Sequence, residues 1–329
     1  MDVFENYDKL YPYLIIDILE YFSLTTDVNK KSVYDFCMQG NRISKYEPHI
    51  INIICKKLCD KGILGLIRQD NALGLKNNYL FIIKNKDFWR NNREKLRIYY
   101  SSIVYGFGYI YDLYKDKVVP IVTKKTNGDY SVGTGFWLYG GIVTAKHCLS
   151  DVENLSIKGV SAKELNESRI FISNNDNIDL AFIELNNSNS EQLWWDDGKI
   201  LQDVLVLGYP RIPGFTNFLT AEKATISSKA EARLTPTKGS ITAIATNIFA
   251  KTEIMLITAK ITGGNSGGPV INENGSIVAV ACQLPNYDGE IGTYDNMGYG
   301  IVIPIRYLSE IIKEKNEYDK KIMFTDFES

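Results

Sequence analysis

The first candidate for a reactive residue in this sequence is a serine within a run of glycines. Ser266 lies in residues 263–269 (GGNSGGP), between the apolar segments 254–261 and 277–280. Apolar segments of that length favour strands, so the run is predicted to be a tight turn between them. Glycine lets such a turn expose its backbone N–H groups, and a hydroxyl among amide donors is what acyl transfer requires. A glycine-rich hairpin with a solvated serine is the alternative interpretation.

The sequence also contains a histidine and an aspartate that could assist this serine, each next to a strand-like run. The sequence contains two histidines, His49 and His147. His147 follows an apolar, strand-like run, and Asp179 begins another such run. A serine hydroxyl is a poor nucleophile unless a base removes its proton, and a carboxylate can orient that base. The chain order His147, Asp179, Ser266 is one of the orders in which such a triad occurs.

Three short blocks of the sequence resemble the signature blocks of trypsin-like serine peptidases, which have the chymotrypsin fold. The blocks are 144–148 (TAKHC), 179–181 (DLA) and 264–269 (GNSGGP), and the segment 133–136 (GTGF) also matches. The pattern is more similar to bacterial HtrA-like and glutamyl-endopeptidase-like enzymes than to animal digestive ones. The resemblance covers residues 117–308.

The resemblance implies a mainly β domain of two six-stranded β-barrels with the active site between them. His147 and Asp179 would come from the first barrel and Ser266 from the second. As a serine endopeptidase, the enzyme would use Ser266 as nucleophile, His147 as proton carrier and Asp179 to hold the imidazole in the right tautomer. The backbone N–H groups of Gly264 and Ser266 would form the oxyanion hole. Neither a cofactor nor a metal is expected.

The resemblance also implies where a protein or peptide substrate would bind. Ile261, Thr262 and Gly263 would form one wall of the primary pocket. Val280, Ala281 and Cys282 would form the edge strand that pairs with the substrate. These small and apolar residues favour a small or uncharged substrate side chain. The alternative is that Lys260 reaches inward and favours an acidic side chain, although lysine is seldom buried without a partner.

The residue before Ser266 bears on how activity is controlled. Zymogen-type relatives carry an aspartate there, which pairs with a newly cleaved N-terminus, whereas this sequence has Asn265. An asparagine cannot form that ion pair, and a whole domain precedes the barrels. Activity is therefore expected not to require a cut before Val118, and control is expected from the N-terminal domain or a partner protein.

The N-terminal part of the chain has helical rather than β patterning. Apolar residues at helical spacing predict three helices between residues 11 and 62, and a β-hairpin is predicted for 63–83. Three helices followed by a hairpin resemble a winged-helix domain, which we assign to residues 1–86. A connector at 87–116, the peptidase domain at 117–308 and a C-terminal helix and tail at 309–329 complete the predicted organisation.

The charge distribution separates two hypotheses for this α-rich domain. Residues 1–100 contain 16 Lys and Arg and 12 Asp and Glu, a net charge of +4, while the whole chain has a net charge of −2. Because this domain is only mildly basic, a regulatory or partner-binding role is preferred over DNA binding. The alternative is a DNA-binding regulator with a silent or self-cleaving peptidase module. Small bacterial peptidases with appended recognition domains suggest stress or anti-phage defence by analogy.

The cysteines and the first residues favour a cytoplasmic location. Five cysteines show no framework spacing, and the segment 132–143 contains none. Secreted relatives bridge the cysteine after the catalytic histidine to one on the preceding strand, so Cys148 is expected to stay reduced. The first residues, MDVFEN, lack the pattern of a secretory signal, and no apolar run approaches the ~20 residues of a membrane helix.

Overall fold

The structure is a computed structural model that describes residues 3–23, 31–39, 45–69, 74–81, 86–185, 193–210, 233–247, 252–282, 298–319 and 321–327 of the 329-residue chain. The chain divides into two compact units, Met1–Ile110 and Tyr111–Ser329. The division falls inside the segment predicted as a connector. Among the described residues, no helix is long and apolar enough to cross a membrane.

The first unit is mainly helical. Its elements are α1 (Val3–Leu10), α2 (Leu14–Ser23), α3 (Val33–Met38), α4 (Pro48–Asp60), β1 (Leu64–Arg68), β2 (Asn78–Phe81) and α5 (Lys86–Tyr105). Strands β1 and β2 form an antiparallel pair. The predicted helices and hairpin are therefore present, with α1 as an additional helix before them. The likeness of this unit to a winged-helix domain stays a prediction.

Apolar stripes explain why these helices form. Along α2 the residues Leu14, Ile18 and Phe22 are all buried, as are Ile51 and Leu58 on α4. Burying one such side chain contributes about 1.5–3 kcal/mol, which makes the shared core the main source of helix stability. The first unit thus has a hydrophobic core of its own.

The second unit begins at Tyr111, within α6 (Phe107–Tyr114). Its first sheet contains seven strands. The sheet has the order β15-β6-β3-β4-β5-β8-β7. Its elements are β3 (Val118–Lys125), β4 (Tyr130–Leu138), β5 (Gly141–Thr144), β6 (Val152–Ile157), β7 (Arg169–Ile172), β8 (Ala181–Glu184) and β15 (Met323–Phe324), with α7 (Ala162–Glu167) between β6 and β7.

This sheet differs from the expected first barrel. Its strand pairing is open among the described residues, and β15 at one end of it comes from the predicted C-terminal tail. β15 runs parallel to β6, with Phe324 opposite Leu155. Phe324 joins the buried core of the sheet, and this burial is the physical reason that the tail adds a strand. The helix expected near the C-terminus is present as α8 (Arg306–Glu314).

The second sheet is the closed six-stranded barrel that was expected. Its order is β10-β11-β14-β13-β12-β9. The strands are β9 (Asp203–Gly208), β10 (Thr235–Asn247), β11 (Thr252–Ile257), β12 (Pro269–Asn272), β13 (Ile277–Ala281) and β14 (Gly300–Pro304). Their inward-facing aliphatic side chains form one buried cluster. The mainly β fold class with an α-rich N-terminal region is confirmed.

Candidate active site

His147 lies immediately beyond a buried strand. β5 ends at Thr144, and a short 3₁₀ turn, Lys146–Leu149, carries His147. Cys148 and Leu149 anchor the turn because both are buried, while the His147 side chain keeps 39% of its surface exposed. The turn therefore presents the imidazole at the surface of the sheet on a rigid base.

Asp179 binds His147 through both carboxylate oxygens. Oδ1 accepts a hydrogen bond from the His147 backbone N–H at 2.8 Å, and Oδ2 lies 2.6 Å from His147 Nδ1. Asp179 is 5% exposed and precedes the buried residues Leu180 and Ala181. The carboxylate therefore fixes the position of the imidazole and favours the tautomer with a proton on Nδ1.

The surroundings of His147 favour its protonated form. Burial lowers the pKa of His147. The hydrogen bond that its ring donates to Asp179, together with the interactions with Cys148 and the Asp179 charge, outweighs this effect and raises the pKa to about 10. Asp179 thus stabilises an imidazolium, the species that forms when a histidine takes a proton from a nucleophile.

The loop that carries Ser266 is held by its own turns and by a neighbouring strand. Asn265 N–H donates to Thr262 O at 3.0 Å, and Gly268 N–H donates to Asn265 O at 2.9 Å. Gly267 N–H donates to Ala281 O on β13. Gly267 has φ +88°, and a Cβ there would lie 2.1 Å from the backbone oxygen of Thr134. Only glycine fits this position, which explains the residue type after the serine.

Two backbone donors of this loop are available for a ligand. Among the described residues, neither the N–H of Gly264 nor that of Ser266 has a hydrogen-bond acceptor. Ser266 is 6% exposed, and its hydroxyl makes no hydrogen bond to any described residue. Free N–H groups beside a serine hydroxyl are what stabilisation of a tetrahedral oxyanion requires.

Cys148 lies between the histidine and the serine, a position that sequence reasoning did not assign. Its Sγ is 3.9 Å from His147 Nε2 and 3.7 Å from the backbone oxygen of Ser266. Cys148 is in no disulfide among the described residues. Its adjacency to His147 in the sequence is the only signal that could have placed it here.

Cys282 approaches the site from the barrel. Its thiol donates to the backbone oxygen of Asp179 at 3.1 Å, and burial raises its pKa well above the ordinary value. The thiol is therefore a neutral donor that helps to hold Asp179. This role differs from the substrate pairing that was expected for Cys282.

The predicted edge strand is wrong for Val280 and Ala281. Val280 pairs with Pro269 on β12 and with Ile303 on β14, and Ala281 pairs with Val302. β13 lies inside a closed barrel with a neighbour on each side. The backbone groups of Ala281 also bind the serine loop, so they are not available to a substrate.

The expected pocket wall lies next to the serine loop. Ile261 and Thr262 are partly buried and Gly263 is exposed. The side chain of Ile261 covers Gly300 on β14, where a Cβ would lie 2.7 Å from Ile261 Cδ1. Lys260 is exposed, so in this structure it does not reach inward. Within the described part of the chain, no group of three or more His, Cys, Asp or Glu side chains could hold a metal ion.

Part of this chain is similar to known peptidases. Residues 133–280 match the model of the trypsin-like peptidase domain family. Two proteins named as probable periplasmic serine endoprotease DegP-like, from Pseudomonas putida (strain W619) and Pseudomonas fulva (strain 12-X), are each 26% identical over 200 and 184 residues. The matches cover 58% and 55% of this chain but 37% and 34% of the relatives. The chain therefore spans little more than a third of their length.

Solved structures are also similar to this chain, with lower sequence identity than these relatives. The active form of the Rv3671c protease from M. tuberculosis has a TM-score of 0.46 and 17% identity, covering 66% of this chain and 88% of that chain. The serine endoprotease from Yersinia pestis has a TM-score of 0.43 and 19% identity, covering 64% and 66%. The family match and the DegP-like relatives show that residues 133–280 are similar to a trypsin-like peptidase domain.

Proposed function

We propose that this chain is a cytoplasmic serine endopeptidase that cleaves a specific protein substrate with Ser266, His147 and Asp179. The observation that carries the proposal is the double contact of the Asp179 carboxylate with His147, at 2.8 and 2.6 Å, beside a serine loop with two free N–H donors. A core residue pair would not need an exposed imidazole or free backbone donors. An acyl-transfer site needs both.

The proposed reaction follows from these positions. Ser266 Oγ attacks the carbonyl carbon of the scissile peptide bond, and its proton passes to Nε2 of His147. The carbonyl oxygen becomes an oxyanion and accepts hydrogen bonds from the N–H groups of Gly264 and Ser266. His147 then gives its proton to the leaving amine, and water repeats the sequence to release the acyl group. One oxyanion donor is typically worth about 10²–10³ in turnover.

This arrangement of Ser266 and His147 needs one adjustment before catalysis. His147 Nε2 has Cys148 Sγ as its neighbour at 3.9 Å, and the Ser266 hydroxyl makes no hydrogen bond to described residues. Catalytic hydrogen bonds often form only when substrate is bound. In this proposal, substrate binding brings the Ser266 hydroxyl and Nε2 into hydrogen-bond distance.

The first unit is proposed to recognise a partner protein that controls the peptidase. Its strand β1 exposes two large apolar side chains, Leu66 and Ile67, each 46% exposed. Exposed apolar side chains next to each other favour a protein partner over a nucleic acid. A function in stress or anti-phage defence belongs to this proposal by analogy. The DNA-binding alternative predicts tight, salt-sensitive binding of random duplex DNA, and absence of such binding would remove it.

The cytoplasmic location rests on the state of the cysteines. None of the five cysteines, all of which lie in the described part of the chain, forms a disulfide, and Cys37, Cys55, Cys148 and Cys282 are buried. Secreted enzymes commonly use cysteines in disulfides, whereas reduced thiols are typical of the cytoplasm. Fractionation of the source cells with an antibody to the native chain would test this part of the proposal.

Labelling with a fluorophosphonate probe tests the central proposal. Wild type is expected to react, while Ser266→Ala and His147→Ala are expected not to react although they remain folded. If the full chain is not labelled, the same experiment on residues 111–329 distinguishes a blocked enzyme from an inactive one. Circular dichroism and cooperative unfolding would show whether this fragment is folded. A folded fragment that is not labelled would refute the peptidase proposal.

A further inference from the structure

Thr134 connects the first sheet to the loop of Ser266 through its backbone and its side chain. Thr134 lies on β4 and is completely buried. Its N–H donates to the backbone oxygen of Ser266 at 2.8 Å, and its Oγ1 donates to the backbone oxygen of Gly264 at 2.7 Å. Two carbonyl groups of the serine loop, on either side of Asn265, therefore bind to one residue.

The direction of the Thr134 hydroxyl is determined by its second partner. Oγ1 also accepts a hydrogen bond from the Tyr209 N–H at 3.0 Å. A hydroxyl has one proton to donate, so with Tyr209 as donor the proton points to Gly264. Tyr209 is itself held, because its own hydroxyl donates to Val118 O at 3.0 Å. The hydroxyl of Thr134 is thus an oriented donor in a buried network.

The neighbouring strand holds the backbone of Thr134 in turn. Thr144 Oγ1 donates to the Thr134 backbone oxygen at 2.8 Å. The pairing of β4 with β5 begins one residue later, at Gly135 and Thr144. Because Thr134 is fixed on the sheet side by Thr144, it can impose a position on the serine loop.

We propose that Thr134 is a positioning residue that holds the oxyanion hole in its active geometry. Gly264 has φ +98°, and a glycine can leave such a conformation easily. Peptide groups are planar, so fixing the carbonyl of Gly264 fixes the peptide that leads to Asn265. Fixing the Ser266 carbonyl restrains the following peptide. The free N–H of Ser266 lies between these two held carbonyl groups, and the free N–H of Gly264 lies on the residue whose own carbonyl is held.

This inference rests on the proposed peptidase function. A positioning role and a general stabilising role make different predictions. If Thr134 only stabilised the fold, its loss would lower the unfolding temperature without a selective effect on the reaction. If it holds the oxyanion hole, the reaction rate falls while the titration of His147, which binds Asp179 and not Thr134, stays unchanged.

The test compares three variants of the full chain. Thr134→Val removes the hydroxyl with little change of shape, Thr134→Ser keeps it, and Thr123→Val is the control. Thr123 is also a buried threonine of this sheet, and its hydroxyl faces Ser131 O at 3.5 Å on the neighbouring strand. The readouts are the fluorophosphonate labelling rate as a function of pH, the unfolding temperature, and amide hydrogen exchange of residues 261–268.

The expected result is a labelling rate about 10²-fold lower in Thr134→Val, with the pH midpoint unchanged and faster exchange of residues 261–268. Thr134→Ser should recover most of the wild-type rate, and Thr123→Val should behave as wild type. If Thr134→Val does not fold, Thr134→Ala provides the same comparison. If folded Thr134→Val is labelled at the wild-type rate and its amide exchange is unchanged, the positioning role of Thr134 is refuted, while the proposed peptidase function is not. Unlabelled wild type with faster exchange in Thr134→Val would instead overturn the proposed function and leave the restraint on the loop supported.

Discussion

The Asp179 carboxylate contacts His147 twice, with Oδ1 on the backbone N–H at 2.8 Å and Oδ2 on ring Nδ1 at 2.6 Å. The backbone contact places the carboxylate, and the ring contact orients the imidazole. Because Asp179 is almost fully buried, water does not compete for these two acceptors. Geometry and protonation of the base therefore depend on one side chain.

We expect Asp179→Asn to lower the rate of fluorophosphonate labelling by about 10⁴-fold, because an amide facing Nδ1 favours the wrong tautomer. Rates measured at saturating probe would show the loss. Asp176→Asn is the control, since Asp176 lies in the same loop but is exposed and pairs with Lys146 at 2.9 Å. An equal loss in both variants would show that the loop, not the Asp179 contact, is responsible.

The raised pKa of His147 predicts a displaced pH profile. Burial lowers this pKa, but Asp179 and Cys148 raise it to about 10 overall, and only the neutral imidazole can act as a base. Labelling is therefore expected to increase with pH, with a midpoint above 6.5, the ordinary value for histidine. The midpoint should fall in Asp179→Asn. A wild-type midpoint at or below 6.5 would contradict the prediction.

The raised pKa of His147 also predicts how the stability of the fold changes with pH. A pKa that is higher in the folded state stabilises the fold below the pKa of the unfolded chain, about 6.5. This contribution is lost as the pH rises toward 10, the folded value. The difference in unfolding temperature between wild type and His147→Gln should shrink over that interval. A difference that grew with pH would disprove the assignment.

Gly267 should tolerate no side chain. In Gly267→Ala the new Cβ would lie 2.1 Å from Thr134 O and 2.4 Å from Thr144 Oγ1, at φ +88°. Overpacking of this kind costs about 1–3 kcal/mol, and the serine loop would have to move. Thermal unfolding should show the loss. Gly263→Ala is the control for unfolding, because a Cβ there meets nothing within 4 Å.

Gly133 provides a way to test the position of Cys148. A Cβ at residue 133 would lie 2.8 Å from Cys148 Sγ, close to the roughly 3 Å between a Cβ and the partner sulfur in a disulfide. Gly133→Cys is therefore expected to form a bridge under oxidising conditions and to stabilise the fold by about 3 kcal/mol for a 15-residue loop. Thiol titration and unfolding with and without reductant would measure it. Gly133→Ser is the control, and two unpaired thiols after oxidation would show that the distance is wrong.

The sequence by itself determined the reactive residue types and much of the fold class. The glycines around Ser266, the strand-like run before His147 and the apolar run after Asp179 are local signals, because each reflects the backbone or burial needs of its own segment. The α-rich first unit follows from similar local patterns, whereas the closed barrel was expected from the family resemblance. Such patterns hold regardless of which distant segment packs against them.

Only the tertiary structure decided the contacts between distant segments. The tail strand β15 has two residues, too few for a periodic pattern, and exists because β6 offers an edge. Val280 is central rather than at an edge because its neighbours come from β12 and β14. Thr134 reaches Gly264 across 130 residues of sequence. A hydrogen bond of this kind depends on where two strands are brought together, and the residue types alone do not specify that.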